Sequence, residues 1–283
     1  MIKAVIFDMY ETLITLYGSP VYFSRQMAED VGISEDIFTP MWRMTEDDRT
    51  TGKVTVDEVV ERILRENNCY SEEKVRLVMD KKIRYKKEAF EHMHPEIILM
   101  MRALKEHGIK IGLISNCHSE ESTVIKESVL YPYFDAVCLS YDEGIKKPDL
   151  EIFKRCLEKI CLNANECLYV GDGGSNELAA AKNVGMEPAQ AVWYLKEGSM
   201  QPVGRLKEFV NIEAPLGVID FVHKNIAGAT MDGTRSKKDD VISKLLSVFS
   251  SGNHDKKEQN NTSAAKTADT LDDDDIDMDF IGG

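Results

Sequence analysis

The sequence predicts an α/β fold in which a doubly wound parallel sheet is interrupted by an inserted helical subdomain. Short β-branched runs alternate with amphipathic helical stretches from residue 4 to about residue 222, which is the pattern of parallel strands joined by helices. The first and second predicted strands are separated by a segment far longer than an ordinary strand-to-helix loop, and this segment has helical spacing throughout. After about residue 224 the composition turns polar, which predicts a chain end without a hydrophobic core.

The predicted strands are short apolar runs, each bounded by polar residues or glycine. They cover residues 4–7, 111–114, 136–139, 167–170, 191–194 and 209–212. The helices between them carry one apolar face. In the helix that Pro95 opens and Gly108 ends, this face consists of residues at helical spacing: Ile97, Met100, Met101 and Leu104. A second such helix begins at Pro148.

The long insertion begins soon after the first strand. Thr55 and Glu58 fit a capping box, in which each side chain accepts a hydrogen bond from the other residue's backbone N–H. A further helix is predicted from Ser71 to about Glu91. We therefore expect three parts, which are an α/β core of residues 1–14 and 93–226, a helical cap of residues 15–92, and a flexible acidic tail of residues 227–283. Within the tail, an apolar spacing over residues 241–249 fits either a transient helix or a partner-binding peptide.

Composition and charge exclude several classes of function. The net charge of −14 and the lack of a basic stripe argue against affinity for nucleic acids or anionic lipids. The six cysteines are scattered and lie mostly in apolar segments, which favours a reducing compartment. No apolar stretch approaches the roughly 18 residues that span a bilayer, and the first apolar run is too short for a secretion signal. We expect a cytoplasmic protein that acts without nucleic acid or membrane.

Four polar segments follow predicted strands, and the first two contain hydroxyl, amide and carboxylate groups. Asp8 and Thr12 come after the first strand, and Ser115 and Asn116 come after the second. Taken alone, Asp8 fits a turn or cap equally well, and Ser115 fits a helix N-cap. At the carboxyl end of a parallel strand, however, such groups lie where open α/β sheets bind ligands. A hydroxyl beside backbone N–H groups can also hold a phosphate oxygen.

The third segment contains Lys147 and Pro148, and the fourth contains Asp172 and Glu177. A lone lysine is ordinarily a solvated surface residue, and the proline would then merely open a helix. The two acids lie on a tight loop of glycine and small polar residues, where they offer the hard oxygen ligands that Mg²⁺ prefers. The ordinary alternative is a glycine-rich turn that starts a helix.

Together and in this order, the four segments resemble the four motifs of the haloacid dehalogenase superfamily of hydrolases, and the insertion resembles the helical (C1-type) cap of its subfamily I. The resemblance covers residues 1 to about 224 and implies a Rossmann-like core. It implies that Asp8 is a nucleophile that forms an aspartyl-phosphate, which water then hydrolyses. It also implies a Mg²⁺ ion held by Asp8, the backbone carbonyl of Tyr10, and Asp172, which offsets the repulsion between carboxylate and phosphate.

The same resemblance assigns roles to the remaining site residues. Ser115, the backbone N–H of Asn116 and Thr12 match groups that bind the phosphoryl group of the substrate. Lys147 matches a catalytic cation that neutralises charge on the transferring oxygens, and Glu177 matches an outer acid that orients Lys147 or metal-bound water. The cap would close over the substrate and select it. The implied substrate is a small phosphorylated metabolite.

The sequence departs from the family at Tyr10 and Glu11. Most phosphatases of the family have a second aspartate, which acts as general acid and base, at the catalytic position of Tyr10. With a reference pKa of about 10, tyrosine is a poorer proton shuttle near neutrality, and general acid–base catalysis is typically worth about 10²–10⁴-fold. We therefore predict a preference for good leaving groups, such as aryl or acyl phosphates. Glu11 stands where the family commonly has glycine, and its carboxylate would repel phosphate if it pointed into the site.

Two alternatives to the phosphatase remain open. The Asp-x-Tyr pattern resembles the family's 2-haloacid dehalogenases, in which halide leaves without protonation and no metal is required. Asp172 argues against this interpretation, because the dehalogenases have serine and asparagine in that loop. The other alternative is a catalytically weak binding protein whose acidic tail recruits a protein partner. In the cap, Trp42, Arg43 and Arg49 are candidate substrate contacts, although core or surface positions are the ordinary roles of such residues.

Overall fold

The central feature of the fold is one parallel sheet. The structure is a computed structural model of the chain, and it describes residues 1–18, 21–195 and 203–227. Within them the strands are β1 Ala4–Phe7, β2 Lys110–Ser115, β3 Ala136–Leu139, β4 Cys167–Gly171, β5 Glu187–Ala191 and β6 Val210–Ile212. Their order is β3-β2-β1-β4-β5-β6, and every neighbouring pair is parallel. The predicted fold class is confirmed.

The helices of the described residues fall into two groups, those of the insertion and those that alternate with strands. They are α1 Ser24–Val31, α2 Glu35–Arg43, α3 Glu46–Thr50, α4 Val56–Glu66, α5 Glu72–Glu91, α6 Glu96–Glu106, α7 Ser119–Glu127, α8 Ser140–Glu143, α9 Leu150–Ile160, α10 Glu177–Val184 and α11 Gly217–Ala227. The helices predicted after Ser71, Pro95 and Pro148 are confirmed as α5, α6 and α9. None of the helices described is both long and apolar enough to cross a membrane.

Strand β1 is buried on both faces, which explains its unbroken apolar run. Val5 and Phe7 belong to a hydrophobic core shared with α6, α7 and α11, whereas Ala4 and Ile6 belong to a second core shared with α9 and α10. Because successive side chains of a strand point to opposite faces, each face of β1 receives two apolar residues. This double burial is typical of a parallel strand covered by helices on both sides.

The insertion has a hydrophobic core of its own, which includes Trp42, Ile63 and Val78. The capping box predicted at the start of α4 is confirmed. The hydroxyl of Thr55 accepts a hydrogen bond from the backbone N–H of Glu58 at 3.4 Å, and the Glu58 carboxylate accepts one from the backbone N–H of Thr55 at 2.8 Å. Helices α1 to α5 all lie within the predicted cap, whose limits stay a prediction.

The prediction of the fifth strand was wrong by about four residues. It was placed over residues 191–194, whereas β5 runs over Glu187–Ala191. The strand opens with Glu187 and Pro188, two residue types depleted in strands. Gln190 is buried, and its side-chain amide donates to two backbone carbonyls and accepts from one backbone N–H. The apolar residues that follow form a turn instead, closed by a hydrogen bond from Leu195 N to Val192 O at 3.1 Å.

The predicted tail, apart from its first residue, lies outside the described residues. The apolar spacing over residues 241–249 falls there as well, so both of its interpretations stay open. The described part of the chain ends with α11, whose range closes at Ala227.

Candidate active site

The strand order brings three of the four polar segments to one edge of the sheet. β1 lies between β2 and β4, and Phe7 is paired with both Leu113 and Val170. Asp8 follows β1, and its backbone N–H donates to the carbonyl of Val170 at 3.0 Å. Because parallel strands end at the same edge, the residues after β1, β2 and β4 meet where the strand order reverses, which is the usual ligand site of such sheets.

Lys147 joins this edge from the loop between α8 and α9. Its ammonium nitrogen Nζ lies 2.6 Å from Asp8 Oδ1 and 2.7 Å from Glu177 Oε2, and all three side chains are fully buried. Burial alone would lower the pKa of Lys147, but the charges of Asp8 and Glu177 outweigh it and raise this pKa above its ordinary value. The lysine is therefore a permanent cation between two carboxylates.

Asn116 holds the backbone of Lys147 in place. Its side-chain Oδ1 accepts from Lys147 N–H at 2.8 Å, and its Nδ2 donates to Lys147 O at 3.1 Å. Ser115 beside it is fully buried, and its hydroxyl donates to the Asn116 carbonyl at 3.2 Å. The phosphate-binding role predicted for the Asn116 N–H and for Ser115 stays a prediction. The two hydrogen bonds from the Asn116 side chain to the Lys147 backbone were not predicted from the sequence.

Glu177 is fixed by three hydrogen-bond donors. Besides Lys147, the hydroxyl of Tyr169 donates to Oε2 at 2.7 Å, and the backbone N–H of Gly173 donates to Oε1 at 3.1 Å. The backbone of Gly171 passes so close that a Cβ added there would lie 1.9 Å from Glu177 Oε1. A side chain at position 171 would displace this carboxylate from its hydrogen bonds. The role of Glu177 as the outer acid stays a prediction.

The carboxylates of this edge fit a divalent cation. Asp8, Asp172 and Glu177 each offer an oxygen, and these oxygens lie within 4.8 Å of one another. Oδ2 of Asp8 has no hydrogen-bond partner among the described residues. Burial, together with the charges of Glu177 and Asp8, raises the pKa of Asp172 well above its ordinary value. The three carboxyl groups outnumber the one ammonium, and hard oxygen ligands of this kind suit Mg²⁺.

Glu11 does not stand free to repel a phosphate. Its carboxylate accepts a hydrogen bond from the Thr15 hydroxyl at 2.8 Å and another from the backbone N–H of Leu16 at 2.8 Å. Its φ of 58° lies in the left-handed region, where glycine is the residue without steric cost, so the glycine common at this position of the family has a conformational reason. Thr12 nearby is fully buried, and its hydroxyl has no hydrogen-bond partner among the described residues.

Tyr10 is held in an environment that keeps its hydroxyl protonated. Its side chain is buried, and the ammonium of Lys86 from the cap lies 4.9 Å from the centroid of its ring. Burial first, and then the charge of Glu121, raise the pKa of Tyr10 well above its ordinary value. The tyrosine is thus a still poorer proton shuttle than its reference pKa implies. Metal binding by its carbonyl stays a prediction.

Two aromatic residues that the sequence placed in a strand instead anchor the loop after Asp8. The indole N–H of Trp193 donates to the carbonyl of Thr12 at 2.8 Å. The hydroxyl of Tyr194 donates to the carbonyl of Leu13 at 3.2 Å and accepts from the backbone N–H of His94 at 2.7 Å. Their apolar character led to the wrong prediction of a strand over residues 191–194. No spacing in the sequence connects them with a loop about 180 residues away.

A buried group of charges between the insertion and the core was also missed. Lys86 Nζ of α5 lies 2.5 Å from Glu121 Oε1 of α7, and Lys82 Nζ lies 3.4 Å from Glu120 Oε1. Amphipathic spacing assigns charged residues to solvent, so their burial could not be predicted from the sequence. We call this group the cap–core cluster, and its members are Glu46, Lys82, Lys86, His118, Glu120 and Glu121.

Comparisons with known proteins identify the family of the chain. Residues 2–185 match the family described as haloacid dehalogenase-like hydrolase. The chain is 27% identical over 199 residues to glyceraldehyde 3-phosphate phosphatase of Methanocaldococcus jannaschii, and the alignment covers 66% of this chain and 83% of that protein. Three other relatives match over shorter segments, which span 36% to 43% of their lengths.

Solved structures share the fold. The 2-haloacid dehalogenase from Pseudomonas syringae pv. Tomato DC3000 has a TM-score of 0.56 and 20% identity, with 79% of this chain and 99% of that chain covered. A HAD phosphatase from Thermococcus onnurineus has a TM-score of 0.56 and 19% identity, with 78% and 98% covered. The family match spans most of the chain, and the polar groups of the four motifs meet at one edge of the sheet. The chain therefore belongs to the haloacid dehalogenase-like hydrolase family, and it is a hydrolase.

Proposed function

We propose that the protein is a Mg²⁺-dependent phosphatase that acts on a small phosphorylated metabolite through an aspartyl-phosphate. The observation that carries this proposal is the set of three carboxylates around one ammonium at the edge of β1 and β4. Asp8 and Asp172 would hold the ion, together with the backbone carbonyl of Tyr10. Bound there, the ion would supply the positive charge that lets an anionic nucleophile approach an anionic phosphate.

The chain's own residues account for the two chemical steps. Lys147 holds Oδ1 of Asp8, so Oδ2 is the oxygen that attacks phosphorus. The bond from phosphorus to the leaving-group oxygen breaks, and its electron pair departs on that oxygen. Ser115 and Thr12 offer buried hydroxyls to the phosphoryl group. Water then cleaves the aspartyl-phosphate, which releases phosphate and restores Asp8.

The burial of Tyr10 supports a preference for leaving groups that depart without a proton. Its raised pKa removes it as an acid or base near neutrality. Aryl and acyl phosphates meet this condition, because their leaving oxygens are weakly basic. The phosphatase named among the relatives supports phosphate ester chemistry for this chain. The free thiols of all six cysteines fit the reducing environment of the cytoplasm, which we propose as the location.

The 2-haloacid dehalogenase is the second candidate, because Tyr10 follows the Asp-x-Tyr pattern. Asp172 favours the phosphatase over it. Its carboxylate lies within 4.8 Å of the carboxylates of Asp8 and Glu177, and an additional buried acid would serve no purpose in a reaction without metal.

A single assay series tests the proposal and separates the two candidates. Hydrolysis of p-nitrophenyl phosphate and of an alkyl phosphate is measured with Mg²⁺ and with EDTA, and halide release from 2-chloropropionate is measured in parallel. We expect Mg²⁺-dependent hydrolysis that is faster for the aryl ester. Asp172→Asn should lower it at least about 10²-fold, whereas Asp36→Asn, on the exposed start of α2, serves as the matched control. Equal rates in EDTA, or halide release without metal, would overturn the proposal.

A further inference from the structure

Two side chains from beyond the family match hydrogen-bond to both loops of the proposed Mg²⁺ site. The match ends at residue 185, whereas Gln190 lies in β5 and Trp193 in the turn after it. The Gln190 side chain donates to the backbone carbonyl of Asp172 at 2.8 Å, and the Trp193 indole donates to that of Thr12 at 2.8 Å. Asp172 is itself a proposed ligand, and Thr12 shares a loop with Asp8. Both contacts therefore hold loops of the metal site, although neither residue belongs to the four motifs.

The Gln190 side-chain amide uses all of its hydrogen-bonding groups. Besides Asp172 O, its Nε2 donates to Gly204 O at 2.9 Å, and its Oε1 accepts from the Leu206 N–H at 2.8 Å and from Asn211 Nδ2 at 3.0 Å. The residue is only 1% exposed. Burying an amide costs free energy unless it is hydrogen-bonded, and an apolar side chain would fill the same place without that cost. A buried amide paired in this way fixes the segments that it joins in one arrangement.

For Asp172, the contact with Gln190 fixes the backbone from which the carboxylate projects. The carboxylate is held within its own loop, because Oδ1 accepts from the Gly174 N–H at 2.8 Å. The bond from Gln190 to the Asp172 carbonyl ties that loop to the neighbouring strand β5. The loop thus keeps the Asp172 carboxylate within 4.8 Å of the oxygens of Asp8 and Glu177. Contacts behind a metal ligand set its orientation, and their loss typically costs about 10–100-fold in metal affinity.

The contact of Trp193 acts on the loop after the first strand in the same way. This loop is a tight turn around Tyr10, closed by a hydrogen bond from Leu13 N to Met9 O at 2.8 Å. Thr12, whose carbonyl accepts from the Trp193 indole, lies within the turn, two residues after Tyr10. The indole N–H thus holds the turn that presents the Tyr10 carbonyl, the proposed backbone ligand. Trp193 is only partly buried, so its contact contributes less to the hydrophobic core than to this turn.

We propose that Gln190 and Trp193 are positioning residues of the Mg²⁺ site. Each holds the backbone of a loop that carries a metal ligand, and neither supplies a ligand itself. This inference rests on the proposed Mg²⁺-dependent function and deepens it. Because all the ligands remain when either side chain is lost, the loss weakens Mg²⁺ binding and leaves the reacting groups intact. Excess Mg²⁺ therefore restores turnover, which distinguishes a positioning residue from a catalytic one.

Calorimetric titration of the full chain with Mg²⁺, without substrate, tests the positioning role directly. Gln190→Met, which removes the amide at similar size, should raise the Kd for Mg²⁺ about tenfold or more. Trp193→Phe removes one hydrogen bond and should raise it about fivefold. The Mg²⁺ concentration for half-maximal hydrolysis of p-nitrophenyl phosphate should rise by the same factors. At saturating Mg²⁺, kcat and KM should stay within about threefold of wild type, since the ligands and the nucleophile are unchanged.

A structural control comes from the other side of the same amide. Asn211→Ala removes the hydrogen bond to Gln190 Oε1 and two more, to the carbonyls of Leu206 and Phe209, and it leaves the Asp172 contact in place. We expect this variant to unfold at a lower temperature in EDTA and to bind Mg²⁺ within about twofold of wild type. If Asn211→Ala weakened Mg²⁺ binding as much as Gln190→Met, the effect would belong to local stability and the inference would be overturned.

The remaining outcomes separate this inference from the proposed function. Thermal unfolding checks that each variant is folded, and Trp193→Phe decides the matter if Gln190→Met is not. Wild-type Mg²⁺ affinity in the folded variants, or a loss of kcat that excess Mg²⁺ does not restore, would overturn the positioning role and leave the phosphatase standing. Weakened Mg²⁺ binding in a protein whose wild type does not hydrolyse p-nitrophenyl phosphate would uphold the positioning role and reject the phosphatase. A wild type that binds no Mg²⁺ would reject both.

Discussion

Lys147 determines the charge balance of the active site. It lies between two fully buried carboxylates and is itself fully buried, with both nitrogen–oxygen distances below 3 Å. Removing one partner of a buried ion pair leaves an uncompensated charge, which costs more than the pair itself contributes. The residue therefore matters for stability as well as for the proposed catalysis.

Lys147→Met should lower the free energy of unfolding by about 3–5 kcal/mol in the absence of metal. Asp8, Asp172 and Glu177 would then face one another without a cation. Because Mg²⁺ binds the folded state, adding it should restore part of the loss. Urea unfolding with Mg²⁺ and with EDTA measures both effects. Lys146→Met is the matched control, since Lys146 is partly exposed and its ion-pair partner Asp47 is largely exposed. A similar loss in the two variants would contradict the prediction.

Asp8→Asn should reduce turnover of p-nitrophenyl phosphate by at least about 10³-fold, because an amide is not a nucleophile. The fold should persist, since Lys147 keeps its contact with Glu177 at 2.7 Å. Steady-state rates and circular dichroism measure the two outcomes. Retention of most of the activity would show that another group attacks phosphorus.

At the scale of secondary structure elements, α5 and α7 join the insertion to the core through buried ion pairs. Glu121 in the first turn of α7 meets Lys86 of α5. Burial alone would raise the pKa of Glu121, but Lys86, His118 and Lys82 outweigh it and lower this pKa to about 2. An unfolded glutamate titrates near pH 4.5, so this contact links stability to pH.

Stability should fall as the pH drops from about 4.5 to about 2. In that window the unfolded state binds a proton at Glu121 and the folded state does not, so the free energy of unfolding decreases with decreasing pH. Glu121→Gln should flatten the slope by up to about 1.4 kcal/mol per pH unit. Urea unfolding at several pH values measures the slopes. Glu127→Gln, in an exposed pair on the last turn of α7, should keep the wild-type slope, and equal slopes for all three proteins would reject the link.

The capping box of α4 is a local device whose effect can be measured separately. The Thr55 hydroxyl satisfies a backbone N–H that the helix leaves unpaired. Thr55→Ala should therefore lower the free energy of unfolding by about 1 kcal/mol, and Thr55→Ser should restore most of it. Thermal unfolding measures the difference. An alanine variant as stable as wild type would mean that solvent replaces the cap without loss.

At the scale of the whole molecule, the strand order decides where the chemistry lies. Residues 8, 115, 147 and 172 are spread over most of the described chain, yet they meet because β2 and β4 flank β1. All groups of the proposed site lie between Asp8 and Glu177, and every described element ends by Ala227.

Removal of residues 228–283 should leave the turnover of p-nitrophenyl phosphate within about twofold of wild type, because the residues of the proposed site all lie between Asp8 and Glu177. Steady-state kinetics of the full and shortened chains measure this. If the tail recruits a protein partner, its removal should abolish binding of that partner and leave turnover unchanged. A large loss of turnover would show that the tail contributes to the active site.

The sequence by itself determined the fold class, the first four strands to within a residue at each end, the capping box of α4, and the family to which the motifs belong. The fold class, the strands and the capping box follow from local spacing, because periodicity and capping act over a few residues. The family was identified instead by the resemblance of the four motifs. The fifth strand was predicted at the wrong residues, because Pro188 and the polar but buried Gln190 are untypical of a strand.

Only the tertiary structure decided which charged groups are buried. Lys86 and Glu121 form a buried ion pair, although the spacing of their helices assigns both residues to solvent. Asn116 hydrogen-bonds to the backbone of a loop 31 residues away. The orientation of Glu11 and the anchoring of its loop by Trp193 likewise depend on contacts between distant segments. Burial and ion pairing depend on which helices and strands pack against each other. A local pattern of residues does not contain this information, so it can be read only from the tertiary structure.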